Sequence, residues 1–131
     1  MREIDLRLDL IWLILVSVLL SSGSQVLLKL GMSSSQIQIV LAQTDRPLQI
    51  AASIITSPLV LAGLVCFGLS ALFWLFVLSK IPLSTAYPFV AFGIVITVAS
   101  GCVFLREPIT AFQAFGILLI VSGVIVVGAS S

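Results

Sequence analysis

The sequence predicts an all-α membrane protein, with four transmembrane helices in an up-and-down bundle and interfacial helices between the first and second spans. Three observations carry this. The chain is 60% hydrophobic and only 8% charged, where soluble domains carry about 25% charged residues. Four apolar stretches, residues 10–32, 58–79, 83–105 and 111–128, each reach the length at which a helix crosses about 30 Å of hydrocarbon. Short polar or proline-bearing breaks separate them, so residues 1–131 read as one transmembrane domain. A cleaved secretory signal is the poorer reading, since several stretches are of spanning length and no small-residue cleavage site follows the first.

Residues 1–9 mix charged and apolar side chains (Arg2, Glu3, Asp5, Arg7, Asp9) and read as a solvated lead-in that caps the first helix at the interface. The first span is the least apolar of the four. Ser17, Ser21, Ser24, Gln25 and Lys29 recur at spacings of three and four, which sets them along one flank of a helix. Polar groups at membrane depth are costly against lipid, so this flank is expected to face a bundle interior or a watery cavity. There Ser17, Ser21, Ser24 and Gln25 are candidates to hydrogen-bond a substrate, and Lys29 to attract an anion at the mouth. Alternatively, the serines bond to carbonyls of their own helix and Lys29 snorkels to the headgroups.

Ser33-Ser34-Ser35 ends the first helix, and Asp45-Arg46-Pro47 divides residues 36–43 from 48–55. Neither piece is long enough to span. The segment 36–55 is expected to form interfacial helices that lie in the headgroup plane or cover one mouth of the bundle, with apolar residues on one side; a disordered loop is the alternative. Thr56-Ser57-Pro58 then supplies a hydroxyl cap and a proline in the first turn, where a missing N–H costs nothing. In the second span Gly63, Gly68, Ser70 and Ala71 offer small surfaces for helix contact. Trp74 is placed to stack on a sugar ring or aromatic drug, or to pack against lipid.

The stretch Ser79-Lys80-Ile81-Pro82-Leu83-Ser84-Thr85-Ala86-Tyr87-Pro88 joins the second span to the third. It is short enough that the two helices are expected side by side. Pro88 lacks an N–H and its ring crowds the Ser84 carbonyl, which makes Ser84, Pro88 and, further on, Gly93 the candidate hinge. Tyr87 at this bend is expected to line the cavity or to sit in an interfacial belt, and residues 84–88 to face the polar flank. Arg106-Glu107-Pro108 turns the chain into the fourth span, with Arg106 and Glu107 read as an interfacial pair or a turn cap. Glu107 is the one carboxylate near the last two spans and hence the candidate coupling acid. Gly116 and Gly123, two turns apart, mark either a dimer seam or a packing face inside the bundle.

A net charge of +1 provides no basic field for nucleic acid. With no His and two Cys inside apolar runs, no metal site, disulfide framework or cofactor is expected. No nucleophile, base and orienting group converge, which argues against an enzyme. The termini side carries Arg2, Arg7 and Lys80 and the opposite side Lys29, Arg46 and Arg106, so loop charge selects no orientation. That leaves open both a single insertion and a dual one with antiparallel dimers.

Together these residues resemble the small multidrug resistance family of the drug/metabolite transporter (EamA-like) superfamily. The resemblance rests on Gln25 to Lys29, Phe73-Trp74-Leu75, Ile81-Pro82 with Ala86-Tyr87, and the Gly116 to Gly123 spacing, and covers most of the chain outside residues 33–57. Ala86-Tyr87-Pro88 with Arg106-Glu107-Pro108 is most similar to subunits that flip aminoarabinose-phosphoundecaprenol. The resemblance implies a multi-pass transporter of the bacterial inner membrane, with a lipid-linked or small-molecule substrate. Drug-exporting members carry a membrane glutamate at the position of Ser21, and its absence here weakens a cation/proton exchange mechanism. Four helices enclose little space, so the working unit is expected to be a homodimer, or a heterodimer with a related small membrane protein. The leading expectation is flipping of a polyprenyl-phosphate-linked sugar or similar amphiphile. A drug or polyamine exporter and a non-transporting accessory subunit are the alternatives.

Overall fold

The computed structural model describes residues 2–130, with side chains from residue 8 onward, so Arg2, Glu3, Asp5 and Arg7 of the charged lead-in lie outside the described side chains. Six helices follow in order: α1 (Arg2–Met32), α2 (Ser35–Gln43), α3 (Pro47–Ile55), α4 (Pro58–Leu78), α5 (Leu83–Phe104) and α6 (Ala111–Ala129). Four of them, α1, α4, α5 and α6, are long and apolar enough to cross a membrane. The protein is therefore a multi-pass, all-helical membrane protein. Helices α2 and α3 pack on each other between the first two spans, and Ile37 is their buried anchor.

Chemistry at the helix ends explains most boundaries. Proline opens both α3 and α4, where its fixed φ suits the first turn. The Ser57 hydroxyl does not cap α4, contrary to expectation. Ser57 supplies only an extended backbone, while the Thr56 hydroxyl turns back to donate to the carbonyls of Ala52 and Ser53. A capping box opens α6 instead: Thr110 Oγ1 accepts from the Gln113 N–H, and Gln113 Oε1 accepts from the Thr110 N–H.

Helix α1 is the axis of the bundle. Helix α4 runs antiparallel against it, as the pairing of Ser17 with Ser70, Leu28 with Gly63 and Gly31 with Val60 requires. The fit is tight at the glycines: a Cβ at Gly31 would stand 2.6 Å from Val60 Cγ2, and one at Gly63 would stand 2.8 Å from Leu28 Cγ. Small residues let the two backbones approach, the packing available to helices that gain nothing from excluding lipid. Helix α5 packs on α1 in a parallel sense through Gly93, Phe89 and Ile96. A small apolar cluster of Ile14, Val18 and Val77, with Trp74, Phe89 and Ile96 against it, closes the three-helix junction.

Two relationships differ from those read in the sequence. Helices α4 and α5, joined by a tight turn, barely touch each other and lean on α1 instead. A short turn fixes only the helix ends, and the small and hydroxyl residues of α4 match α1 better than they match α5. Secondly, α5 is continuous through Pro88 and Gly93, and of residues 84–88 it is Ala86 that is fully buried, while Tyr87 is 58% exposed. The outermost element is α6, which packs on α5 and buries none of its own residues.

Candidate functional site

Because α4 and α5 part on either side of α1, a cavity of about 340 Å³ opens between the three helices at mid-span. Helix α1 contributes Ser17, Val18, Ser21, Ser22 and Gln25 to its wall; α4 contributes Phe67, Ser70, Ala71 and Trp74; α5 contributes Val90, Gly93, Ile94, Thr97 and Val98. A band of hydroxyls and one amide thus crosses an otherwise apolar interior.

Most of those hydroxyls are engaged with backbone. Ser17 Oγ donates to the Ser70 carbonyl at 3.0 Å, and Ser70 Oγ donates to the Ser17 carbonyl at 2.9 Å, both fully within the α1–α4 contact. On the other side, the Gly93 carbonyl accepts from Ser22 Oγ at 3.2 Å and from Thr97 Oγ1 at 2.9 Å. These bonds satisfy groups that hydrocarbon would leave unpaired, and they fix the spacing of the helices around the cavity. Ser21 is half-buried and Gln25 exposed at the wall, and among the described residues neither side chain is held by another group.

Apart from Lys29 and Glu107, the sequence candidates fall in four places. Ser17, Ser21, Gln25, Trp74 and Gly93 line the cavity. Ser24 is buried beside it, and its hydroxyl donates back to the Ser21 carbonyl at 2.6 Å, a bond within its own helix. Tyr87, Ser84 and Pro88 lie outside the wall, which α5 enters only from Val90 onward. Gly116 and Gly123 face open space, with nothing within 4 Å of an added Cβ.

One turn beyond Gln25, Lys29 Nζ meets Glu107 Oε1 at 3.3 Å, with the two side chains 56% and 50% exposed. Glu107 therefore pairs with α1 rather than with Arg106, because the backbone turns sharply between them. Arg106 takes a left-handed φ of 53°, and the Glu107 N–H returns to the Gly101 carbonyl. This geometry carries the Glu107 carboxylate over Gly101, which has no side chain to oppose it.

Sequence reasoning missed Ser22, Thr97 and Phe67 as wall residues and treated Ser70 only as a packing surface. Ser22 stands three residues before Gln25, within the spacing of the flank, and this was its available signal. Thr97 follows Gly93 by four residues, the spacing at which a hydroxyl reaches back to a helical carbonyl, and this was its available signal.

A model of the EamA-like transporter family matches residues 10–129. A probable 4-amino-4-deoxy-L-arabinose-phosphoundecaprenol flippase subunit ArnF of Shewanella sediminis is 33% identical over 135 residues, covering 97% of this chain and 92% of the relative. The protein of the same name from Aeromonas hydrophila is 34% identical over 119 residues, 88% of this chain and 76% of the relative. A probable flippase subunit ArnE of Pseudomonas fluorescens is 37% identical over 76 residues, 57% of this chain and 66% of the relative. No solved structure matches.

Proposed function

The chain belongs to the EamA-like transporter family, and on that premise we propose that it flips a polyprenyl-phosphate-linked sugar, or a similar amphiphile, across the bacterial inner membrane. The observation that carries this is a cavity at mid-span, crossed by a band of hydroxyls and one amide, between helices that are otherwise apolar. A headgroup needs such a passage, because moving hydroxyls and a phosphate through bare hydrocarbon leaves their hydrogen bonds unmade. The gap between α4 and α5 lets the tail stay in lipid while the headgroup follows the α1 flank from Ser17 toward Lys29. The protein in this proposal is a transporter and not an enzyme, as the naming of its relatives as flippase subunits supports.

The working unit in this reading is a dimer, with itself or with a related small membrane protein. Relatives of both kinds, ArnE and ArnF, are named as flippase subunits, and α6 leaves the face bearing Gly116 and Gly123 open. A drug or polyamine exporter using Glu107 as its proton-coupling acid is less well supported. That carboxylate is half-exposed in an ion pair outside the cavity wall. The test is a vesicle assay with a labelled lipid-linked sugar. Gln25→Ala combined with Lys29→Ala is expected to slow translocation, and an unchanged rate would rule out this path.

A further inference from the structure

We infer that the cavity admits an uncharged single sugar ring and holds the phosphate of the carrier outside, at Lys29; this rests on the lipid-linked-sugar reading above. No charged side chain lines the wall. The described acids, Asp9, Asp45 and Glu107, all lie outside it. An ammonium group drawn in would lose its water and find no carboxylate, and a phosphate would find no cation. An uncompensated charge is what a low-dielectric interior tolerates least.

The free polar groups of the wall match something else. The hydroxyl hydrogens of Ser17, Ser22, Ser70 and Thr97 are already given to carbonyls. The groups left able both to donate to and to accept from a ligand are the Ser21 hydroxyl and the Gln25 amide, while the other four oxygens can still accept. Sugar hydroxyls do both as well. Facing them, Trp74 and Phe67 present flat apolar surfaces of the kind on which the C–H face of a pyranose rests. The volume of about 340 Å³ is at the lower end for small-ligand sites, suiting one ring rather than an oligosaccharide.

The charge of the carrier has its own place. Lys29 follows Gln25 by one helical turn and is half-exposed against Glu107. A phosphate arriving at the mouth competes with Glu107 for Lys29 at little cost, because an ion pair this exposed to solvent contributes little. Sugar inside and phosphate at the mouth are then one turn apart, as a sugar directly bonded to a phosphate requires.

The protein, purified with any subunit that accompanies it, is reconstituted in zwitterionic vesicles. Transbilayer rates at pH 7 are compared for three probes: a polyprenyl phosphate bearing a neutral hexose, one bearing a protonated amino sugar, and bare polyprenyl phosphate. The neutral glycolipid is expected to move about tenfold or more faster than either of the others, and Gln25→Glu, which adds a carboxylate to the wall, to reverse the order of the two glycolipids. Equal or faster movement of the amino-sugar lipid by the unaltered protein overturns this inference and leaves the flippase reading standing. Bare polyprenyl phosphate moving as fast as the neutral glycolipid likewise overturns the inference alone. If no probe moves faster than in protein-free vesicles, both fall.

Discussion

Ser17 and Ser70 hold each other by exchange: each hydroxyl donates to the other residue's main-chain carbonyl, at 3.0 and 2.9 Å, across the contact of α1 with α4. Since both acceptors are backbone atoms, removing one hydroxyl leaves the other bond in place. Ser17→Ala and Ser70→Ala are each expected to cost about 0.6 kcal/mol, the usual worth of an interhelical hydrogen bond in a membrane protein. The double variant should cost close to the sum. Unfolding of the four proteins in mixed micelles checks this, and a double variant no weaker than either single one would contradict it.

Close approach at Gly31 gives a sharper expectation. Its added Cβ meets not only Val60 Cγ2 but also the Val60 backbone nitrogen at 3.0 Å, which cannot rotate away. Gly31→Ala should therefore destabilise the α1–α4 pair by about 1–3 kcal/mol, the range for overpacking. Gly123→Ala, where nothing lies within 4 Å, should leave the single chain at least as stable, since alanine suits a helix interior better than glycine. If α6 forms the seam of a dimer, Gly123→Leu will instead lower association, read by energy transfer between labelled copies in vesicles.

The Lys29–Glu107 pair is half-exposed on both sides, so its loss should shift stability by less than about 1 kcal/mol. Function separates the two residues. Glu107→Gln frees Lys29 and is expected to keep or raise lipid-linked sugar transport, whereas Lys29→Gln lowers it. Abolition of transport by Glu107→Gln, with a pH-dependent rate in the unaltered protein, would favour proton coupling.

Arg106 occupies the left-handed region at φ 53°, where a Cβ is strained and glycine is not. Arg106→Gly should be more stable than Arg106→Ala by about 1 kcal/mol, measured by thermal unfolding in detergent. The guanidinium forms no part of the cavity wall, so neither variant should alter transport.

The helices were legible because their causes are local. Hydropathy over a span, Pro58 in a first turn and Asp45-Arg46-Pro47 between two short helices each act within a few residues. The polar flank of α1 was legible in the same way, by its spacing. Neighbours were not. Whether α4 rests on α5 or on α1 depends on how Gly63, Ser70 and Val77 fit a partner surface, and no turn length encodes that. The same holds for Glu107, whose reach to Lys29 follows from the backbone reversal at Arg106. Tyr87 shows the limit on helix faces. A proline nearby suggested a bend toward the cavity, yet the continuous helix buries its neighbour Ala86 and turns the phenol outward.

That α4 and α5 both lean on α1 while hardly meeting each other has a mechanical meaning. The arrangement is that of two leaves on one pin. Close packing at Gly31 and Gly63 and the paired serines lock the α4 leaf over much of its length, whereas the α5 leaf is held at the cavity by Ser22 reaching a single carbonyl. Swing should therefore belong to α5, carrying α6 with it. Spin labels at Leu64 and Phe92 are expected to report a distance that varies with substrate, and labels across the α1–α4 contact one that does not.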